Sequence, residues 1–124
     1  MTASTLAQFA DQKYLSLESY RKDGSTVRTP VWFAAENGTL YVYTEEDSGK
    51  MKRIRRNPRV RIAPCDIRGK VKGDWMDAEA RVCAPQEAAR GNHLLDRKYW
   101  LKMLFNITSK LRRQRRVVLA IQMI

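Results

Sequence analysis

Residues 43–58 read Tyr-Thr-Glu-Glu-Asp-Ser-Gly-Lys-Met-Lys-Arg-Ile-Arg-Arg-Asn-Pro, and this stretch decides how the chain is organised. Apolar residues alternate with others from Leu40 to Thr44, which is typical of a strand. Ser48 is a favoured residue at the start of a helix. That helix must end near Asn57-Pro58, because the residue before a proline avoids the helical conformation. The stretch therefore predicts a strand that runs directly into a short basic helix.

The start of this basic helix has the chemistry of an anion-binding site. The first N–H groups of a helix have no partner within the helix and carry a partial positive charge. Ser48 adds a hydroxyl, Lys50 adds a full charge, and Arg28 on the preceding strand could reach the same anion. The arrangement predicts a phosphorylated cofactor, and hence an enzyme, although Ser48-Gly49-Lys50 alone also fits an ordinary capped surface helix.

Strand patterns lie on both sides of this stretch. Asn37-Gly38 is a strong hairpin signal between two alternating runs. Pro85 suits the first turn of a second helix, which we expect to be interrupted at Gly91-Asn92. The predicted strands span residues 14–20, 27–34, 39–44, 59–65, 74–82 and 117–124, and a short leading helix spans 4–12. This order predicts a mainly β fold, a six-stranded antiparallel barrel with two or three peripheral helices.

Length and charge narrow the possible functions. The 124 residues predict a single domain, 1–124, and the net charge of +11 attracts phosphates, nucleic acid or anionic membranes. The sequence shows no signal peptide and no transmembrane run, so we expect a cytoplasmic protein without a membrane partner. Cys65 and Cys83 are then expected to be reduced and buried. One histidine and two cysteines predict no metal site.

Four segments, in their order and spacing, resemble the flavin split-barrel superfamily, which includes pyridoxamine phosphate oxidase. They are residues 27–33, 40–44, 48–50 and 54–58. The likeness is greatest to the branch that uses the deazaflavin coenzyme F420, and it extends from Tyr14 to the final strand. It implies a homodimer of six-stranded split barrels with two cofactors at the subunit interface. The C-terminal residues with which the oxidases grip pyridoxamine phosphate have no counterpart here, so we do not expect that substrate.

The resemblance also implies which residues hold the cofactor. Its phosphate would be bound by one residue of the second strand and by the residues that end the third strand and open the helix: Arg28, Thr44, Ser48, Gly49 and Lys50. The ring would lie along the second strand, flanked by Pro30, Val31 and Trp32. The remaining cations of the basic helix repel one another unless they meet anions, so Lys52, Arg53 and Arg56 are candidates for the cofactor tail.

The expected activity is that of an oxidoreductase that transfers a hydride between the cofactor and a conjugated organic acceptor, a small molecule. F420 carries a phosphodiester and a polyglutamate tail, whereas FMN carries one phosphate, so the broad cationic surface favours F420 over FMN. No catalytic residue is identified, and His93, expected at a helix start, is not assigned as an acid. One alternative is an FMN enzyme of the same fold. Another is a basic nucleic-acid-binding module, disfavoured because aromatic and basic residues do not interleave.

Overall fold

The computed structural model describes residues 7–106 and 116–124, with side chains for residues 7–99 and 117–124. These residues form a closed antiparallel barrel in the strand order β1-β2-β3-β6-β5-β4. The elements are a 3-10 turn (Ala7–Phe9), β1 (Tyr14–Tyr20), β2 (Thr26–Glu36), β3 (Thr39–Glu45), α1 (Gly49–Arg56), β4 (Arg59–Cys65), β5 (Met76–Val82), α2 (Pro85–Asn106) and β6 (Arg116–Met123). The predicted fold class is confirmed, and β1 and β4 have the predicted bounds.

The barrel interior is built by the alternation that the sequence shows. Leu15, Leu17, Phe33, Ile62 and Leu119 each expose 1% or less of their surface and belong to one apolar cluster. The hairpin between β2 and β3 also forms as predicted. Asn37 and Gly38 have φ angles of 52° and 80°, the left-handed pair that a tight two-residue hairpin requires. Local turn chemistry and strand alternation therefore fix the first three strands together.

The barrel is closed only partly along β2. The pairing of β2 with β3 consists of four residue pairs, from Phe33 with Val42 to Glu36 with Thr39. Residues 26–32 of β2 pair with β1 alone, and the end of β3 pairs with β6. Within the described residues, the first half of β2 therefore has no partner strand on its β3 side. This is the split that the resemblance to split barrels predicts.

The basic helix α1 covers one end of the barrel. The hydroxyl of Ser48 accepts a hydrogen bond from the Met51 N–H, and Asn57 ends the helix, both as predicted. Met51 and Ile54 are buried in the same apolar cluster as the barrel interior. Their spacing of three residues places them on one helix face, so the charged residues of α1 are left for the other faces.

The predicted interruption of the second helix at Gly91-Asn92 is wrong. α2 continues through this position, and its backbone leaves helical geometry only at Tyr99, with φ −118° and ψ 22°. Gly91 is buried. A Cβ at this position would lie 2.7 Å from Cγ1 of Val118 and 3.0 Å from the Tyr41 ring. The glycine lets the helix approach the barrel closely. His93 is consequently exposed in mid-helix and does not begin one.

α2 packs on the outer surface of the barrel. A second apolar cluster, which includes Tyr41, Leu95, Tyr99 and Val118, fills the space between the helix and β2, β3 and β6. Residues 118–121 are all buried, because one face of β6 belongs to the barrel core and the other face packs against α2. Cys65 and Cys83 are free and buried, which is as predicted. Burial raises the pKa of both thiols, that of Cys83 to about 11.

The start of β5 and the leading helix differ from the predicted bounds. β5 begins at Met76 rather than at residue 74, because the backbone of Asp74 is bound by the side chain of Gln8 through two hydrogen bonds of 2.9 and 3.0 Å. The leading helix, predicted over 4–12, is observed only as the 3-10 turn, and its first residues lie outside the described ones.

In residues 7–106 and 116–124, no helix has both the length and the apolar character needed to cross a membrane.

Candidate functional site

The β3–α1 corner, residues 44–50, brings several predicted ligands together. Thr44 lies at the end of β3 and Ser48 precedes α1, and their hydroxyl oxygens are 3.2 Å apart. Gly49 and Lys50 form the first turn of the helix, which contains no acidic residue. The corner therefore combines two hydroxyls, the first N–H groups of a helix and the side chain of a lysine, a combination that suits a phosphate.

Lys50 has the electrostatic environment expected of an anion-binding residue. Burial lowers its pKa, and the nearby Arg53 lowers it further, while Glu45 partly opposes them. Among the described residues, no carboxylate oxygen lies within 4 Å of its ammonium group, since Lys50 forms none of the ion pairs. A partly desolvated cation without a partner is unfavourable. A bound anion would remove that cost.

Arg53 leans over the same turn. Its Nε donates a hydrogen bond of 2.7 Å to the Ser19 hydroxyl at the end of β1, and its Nη1 would lie 3.0 Å from a Cβ at Gly49. Burial lowers the pKa of Arg53, as do the neighbouring guanidinium groups of Arg21 and Arg56. The structure thus places Arg53 beside Lys50, where its charge adds to the positive potential of the corner.

Lys52 and Arg56 are the other residues predicted to contact the cofactor tail. Lys52 is exposed on α1. Arg56 is exposed and donates a hydrogen bond of 3.4 Å to the backbone oxygen of Tyr20. Arg21, which follows β1, and Arg56 are both charged neighbours of Arg53. These residues form a cationic surface next to the corner and are available to a long anionic ligand.

The open edge of β2 faces the gap left by the split. Thr29, in this segment, points inward with Val31, and its hydroxyl is buried without a hydrogen-bond partner. It is the one such side-chain atom in the part of the chain that the structure describes. A buried hydroxyl without a partner costs about 1–3 kcal/mol. Its position on the unpaired half of β2 marks this edge as a place for a polar ligand.

Arg28 makes an ion pair that the sequence did not reveal. Its Nε donates a hydrogen bond of 2.6 Å to the Glu18 carboxylate, and Arg61 lies 3.4 Å from the other carboxylate oxygen. Both guanidinium groups lie over the ring of Trp75. Arg28 therefore lies on the outer face of the barrel and is held by Glu18, although its side chain keeps 54% of its surface exposed.

The three residues expected to flank the ring have different environments. Pro30 is exposed and lies near Gly69 in the β4–β5 loop. The side chain of Val31 is 8% exposed in the barrel core, which leaves only its backbone for a ligand. Trp32 is on the same outward side as Arg28, as the alternation predicts, and stacks on Tyr99 with ring centroids 4.9 Å apart.

Tyr99 and Lys98 fix the middle of β2, which sequence reasoning missed. The Tyr99 hydroxyl donates toward the oxygens of Lys13 and Phe33 at 2.6 and 2.7 Å and accepts the Phe33 N–H at 3.1 Å. The Lys98 ammonium donates 2.8 Å hydrogen bonds to the oxygens of Gln12 and Phe33. These contacts depend on where α2 crosses the barrel. No local pattern could have revealed them.

A split β-barrel with a candidate phosphate-binding corner next to a partly unpaired strand is the fold that the sequence resemblance implies. Residues 1–123 match the family model described as "Pyridoxamine 5'-phosphate oxidase". The chain belongs to this family, which confirms the resemblance seen in the sequence. No curated protein matches the sequence at a significant level.

Solved structures with this fold carry names that refer to different ligands. A FAD-binding protein from Mesorhizobium loti is 16% identical with a TM-score of 0.70, and the match covers 100% of this chain and 91% of that one. An F420 reductase is 17% identical with a TM-score of 0.61, covering 96% and 92%. A heme storage protein from Vibrio cholerae is 13% identical with a TM-score of 0.69, covering 98% and 89%. At these identities the likeness shows the fold alone.

Proposed function

We propose that the protein is an F420-dependent oxidoreductase that transfers a hydride between the deazaflavin and a conjugated organic acceptor. One observation carries the proposal: the partly buried Lys50 has no carboxylate partner within the described residues and lies at a helix start beside the hydroxyls of Thr44 and Ser48. Among common ligands, a phosphate fits such a corner best, because it can accept hydrogen bonds from the ammonium group, from the first N–H groups of the helix and from the hydroxyl hydrogen that the Thr44–Ser48 pair leaves available.

The other residues of the site fit the same cofactor. A ring placed along the first half of β2 would find backbone groups that no neighbouring strand among the described residues uses, together with the Thr29 hydroxyl, which has no partner in the same part of the chain. When bound, the deazaflavin supplies the hydride chemistry. The chain would bind the phosphate, orient the ring against β2 and shape the acceptor pocket. No side chain is assigned to proton transfer.

The choice of F420 over FMN rests on charge. Five of the eight residues of α1 are cationic and none is acidic. Lys52, Arg53 and Arg56 extend the positive surface away from the phosphate corner, where a single phosphate would not reach and a polyglutamate tail would. FMN binding by the same corner is the alternative. A nucleic-acid-binding module receives no support from the family or from the structural neighbours.

Titration with each cofactor tests the proposal. The natural chain should bind F420 in the submicromolar range and FMN more weakly, as followed by the fluorescence of each cofactor. Lys50→Ala should weaken F420 binding by about 1.5–3 kcal/mol, the range for a hydrogen bond to a charged group. Arg55→Ala removes the same charge from an exposed position of the same helix and should change affinity by less than about 0.5 kcal/mol.

The outcomes separate the candidates. Tighter FMN than F420 binding, still weakened by Lys50→Ala, would assign the corner to FMN. Binding of neither cofactor, or equal affinities for Lys50→Ala and the natural chain, would refute the phosphate corner. The homodimer that the resemblance implies is checked on the same samples by light scattering with and without F420, because a site shared by two subunits should favour the dimer.

A further inference from the structure

Glu18 is a buried carboxylate shared by two arginines. It lies in β1, directly opposite Arg28 of β2 on one side and Arg61 of β4 on the other. Its side chain is 2% exposed, whereas those of Arg28 and Arg61 are 54% and 36% exposed. The carboxylate is thus fixed in the barrel wall, while both cations remain in contact with solvent.

Trp75 holds both cations against this carboxylate. The guanidinium carbon of Arg28 lies 4.5 Å from the centre of the Trp75 ring, and that of Arg61 lies 5.2 Å from it. Attraction between a cation and an aromatic face is worth about 0.5–1 kcal/mol at exposed sites. This is enough to orient the two side chains and too little to fix either one permanently.

We propose that Arg61 is a positioning residue for cofactor binding, because by sharing Glu18 it leaves Arg28 free to turn to the cofactor phosphate. This inference rests on the proposed function. A buried carboxylate that loses its only cation is strongly destabilised. If Arg28 were the sole partner of Glu18, it would be held there and unavailable to a ligand. With Arg61 at 3.4 Å, Glu18 keeps a cation when Arg28 leaves.

The arrangement also explains why Arg28 can serve both sites. Its ion pair with Glu18 uses Nε, and its side chain keeps 54% of its surface exposed, so a further acceptor can reach the guanidinium group from solvent. Phosphate is a strong acceptor for this group. In this proposal Arg28 exchanges Glu18 for the phosphate by rotation of its side chain.

A double-mutant cycle on Glu18 and Arg61 tests the inference, with F420 fluorescence titration as the readout, or FMN titration if only FMN binds. Arg61→Ala should weaken binding roughly tenfold, because Arg28 is then retained by Glu18. Glu18→Gln should bind no more weakly than the natural chain. In the Glu18→Gln background, Arg61→Ala should change affinity by less than about twofold, because a neutral amide needs no cation.

Arg59→Ala is the matched control, since Arg59 is exposed on the same strand and its loss removes the same charge. It should bind like the natural chain. Equal losses for Arg59→Ala and Arg61→Ala, or a loss in Arg61→Ala that persists in the Glu18→Gln background, would overturn the inference. If Arg61→Ala does not fold, Arg61→Gln takes its place in both backgrounds, because it removes the same charge and keeps a polar side chain of similar length. Failure of the natural chain to bind either cofactor would refute the proposed function instead.

Discussion

The two halves of β2 have opposite characters. From Phe33 to Glu36 the strand pairs with β3, and the backbone of Phe33 is bound by Tyr99 and Lys98 of α2. From Thr26 to Trp32 it pairs with β1 alone and carries the orphaned hydroxyl of Thr29. The difference teaches that hydrogen bonds are complete where the fold is held and incomplete where a ligand is expected.

The first test of this contrast removes the Tyr99 hydroxyl, which is hydrogen-bonded to the backbone of Phe33 in the second half of β2. Tyr99→Phe keeps the ring that stacks on Trp32 but leaves the Phe33 N–H without its Tyr99 acceptor. We expect a loss of about 2–4 kcal/mol in the free energy of unfolding, since a buried network loses several hydrogen bonds at once. Urea denaturation measures it.

Tyr43→Phe is the control for this variant. Its hydroxyl also donates a short hydrogen bond, at 2.6 Å, to the Asp96 carboxylate, but Asp96 is exposed. Loss of an exposed bond should cost less than about 1 kcal/mol. If the two variants lost equal stability, the closed half of β2 would not be the special anchoring point that the structure indicates.

The second prediction concerns the close approach of α2 to the barrel. Gly91→Ala gains about 1 kcal/mol of helix propensity, but its Cβ would meet the buried side chains of Val118 and Tyr41 at 2.7 and 3.0 Å. Overpacking of a core costs about 1–3 kcal/mol, so we expect a net loss of up to about 2 kcal/mol. Thermal or urea unfolding measures this loss, and Ala89→Gly on the exposed side calibrates the propensity term. A stabilised Gly91→Ala would contradict this packing.

These residues also show what the sequence can and cannot predict. Ser48 and Asn57 were assigned correctly as the ends of α1, because helix caps depend on neighbours a few positions away. Gly91 is wrongly predicted to break the second helix. A glycine is needed there because the helix packs closely against Val118 and Tyr41, which are distant in sequence. Local rules recover the elements, and tertiary contacts decide how closely they pack.

The candidate site divides in the same way. The hydroxyls of Thr44 and Ser48 could be placed together from sequence, because only a short turn separates them. The pairing of Arg28 with Glu18 could not, because it requires the register between β1 and β2. Register follows from the hydrophobic pattern of both strands and the turn between them. An exposed arginine in a strand does not reveal which carboxylate it faces.

The smallest expected effect is the most direct test of the open half of β2. Thr29→Val replaces a buried hydroxyl that has no partner among the described residues by a methyl group of similar size. The cofactor-free protein should become more stable by about 1 kcal/mol, because the cost of the unpaired hydroxyl disappears. Cofactor affinity should fall by a similar amount if the bound ligand uses that hydroxyl. Urea denaturation and F420 titration measure the two changes.

Thr26→Val, at an exposed position of the same strand, controls for the strand preference of valine and should alter stability by no more than about 0.5 kcal/mol. Opposite signs for stability and affinity in Thr29→Val would mean that the chain tolerates an incomplete hydrogen bond in order to bind its ligand. A stabilised variant with unchanged affinity would instead separate Thr29 from the cofactor site, and the open edge of β2 would then be a feature of the fold alone.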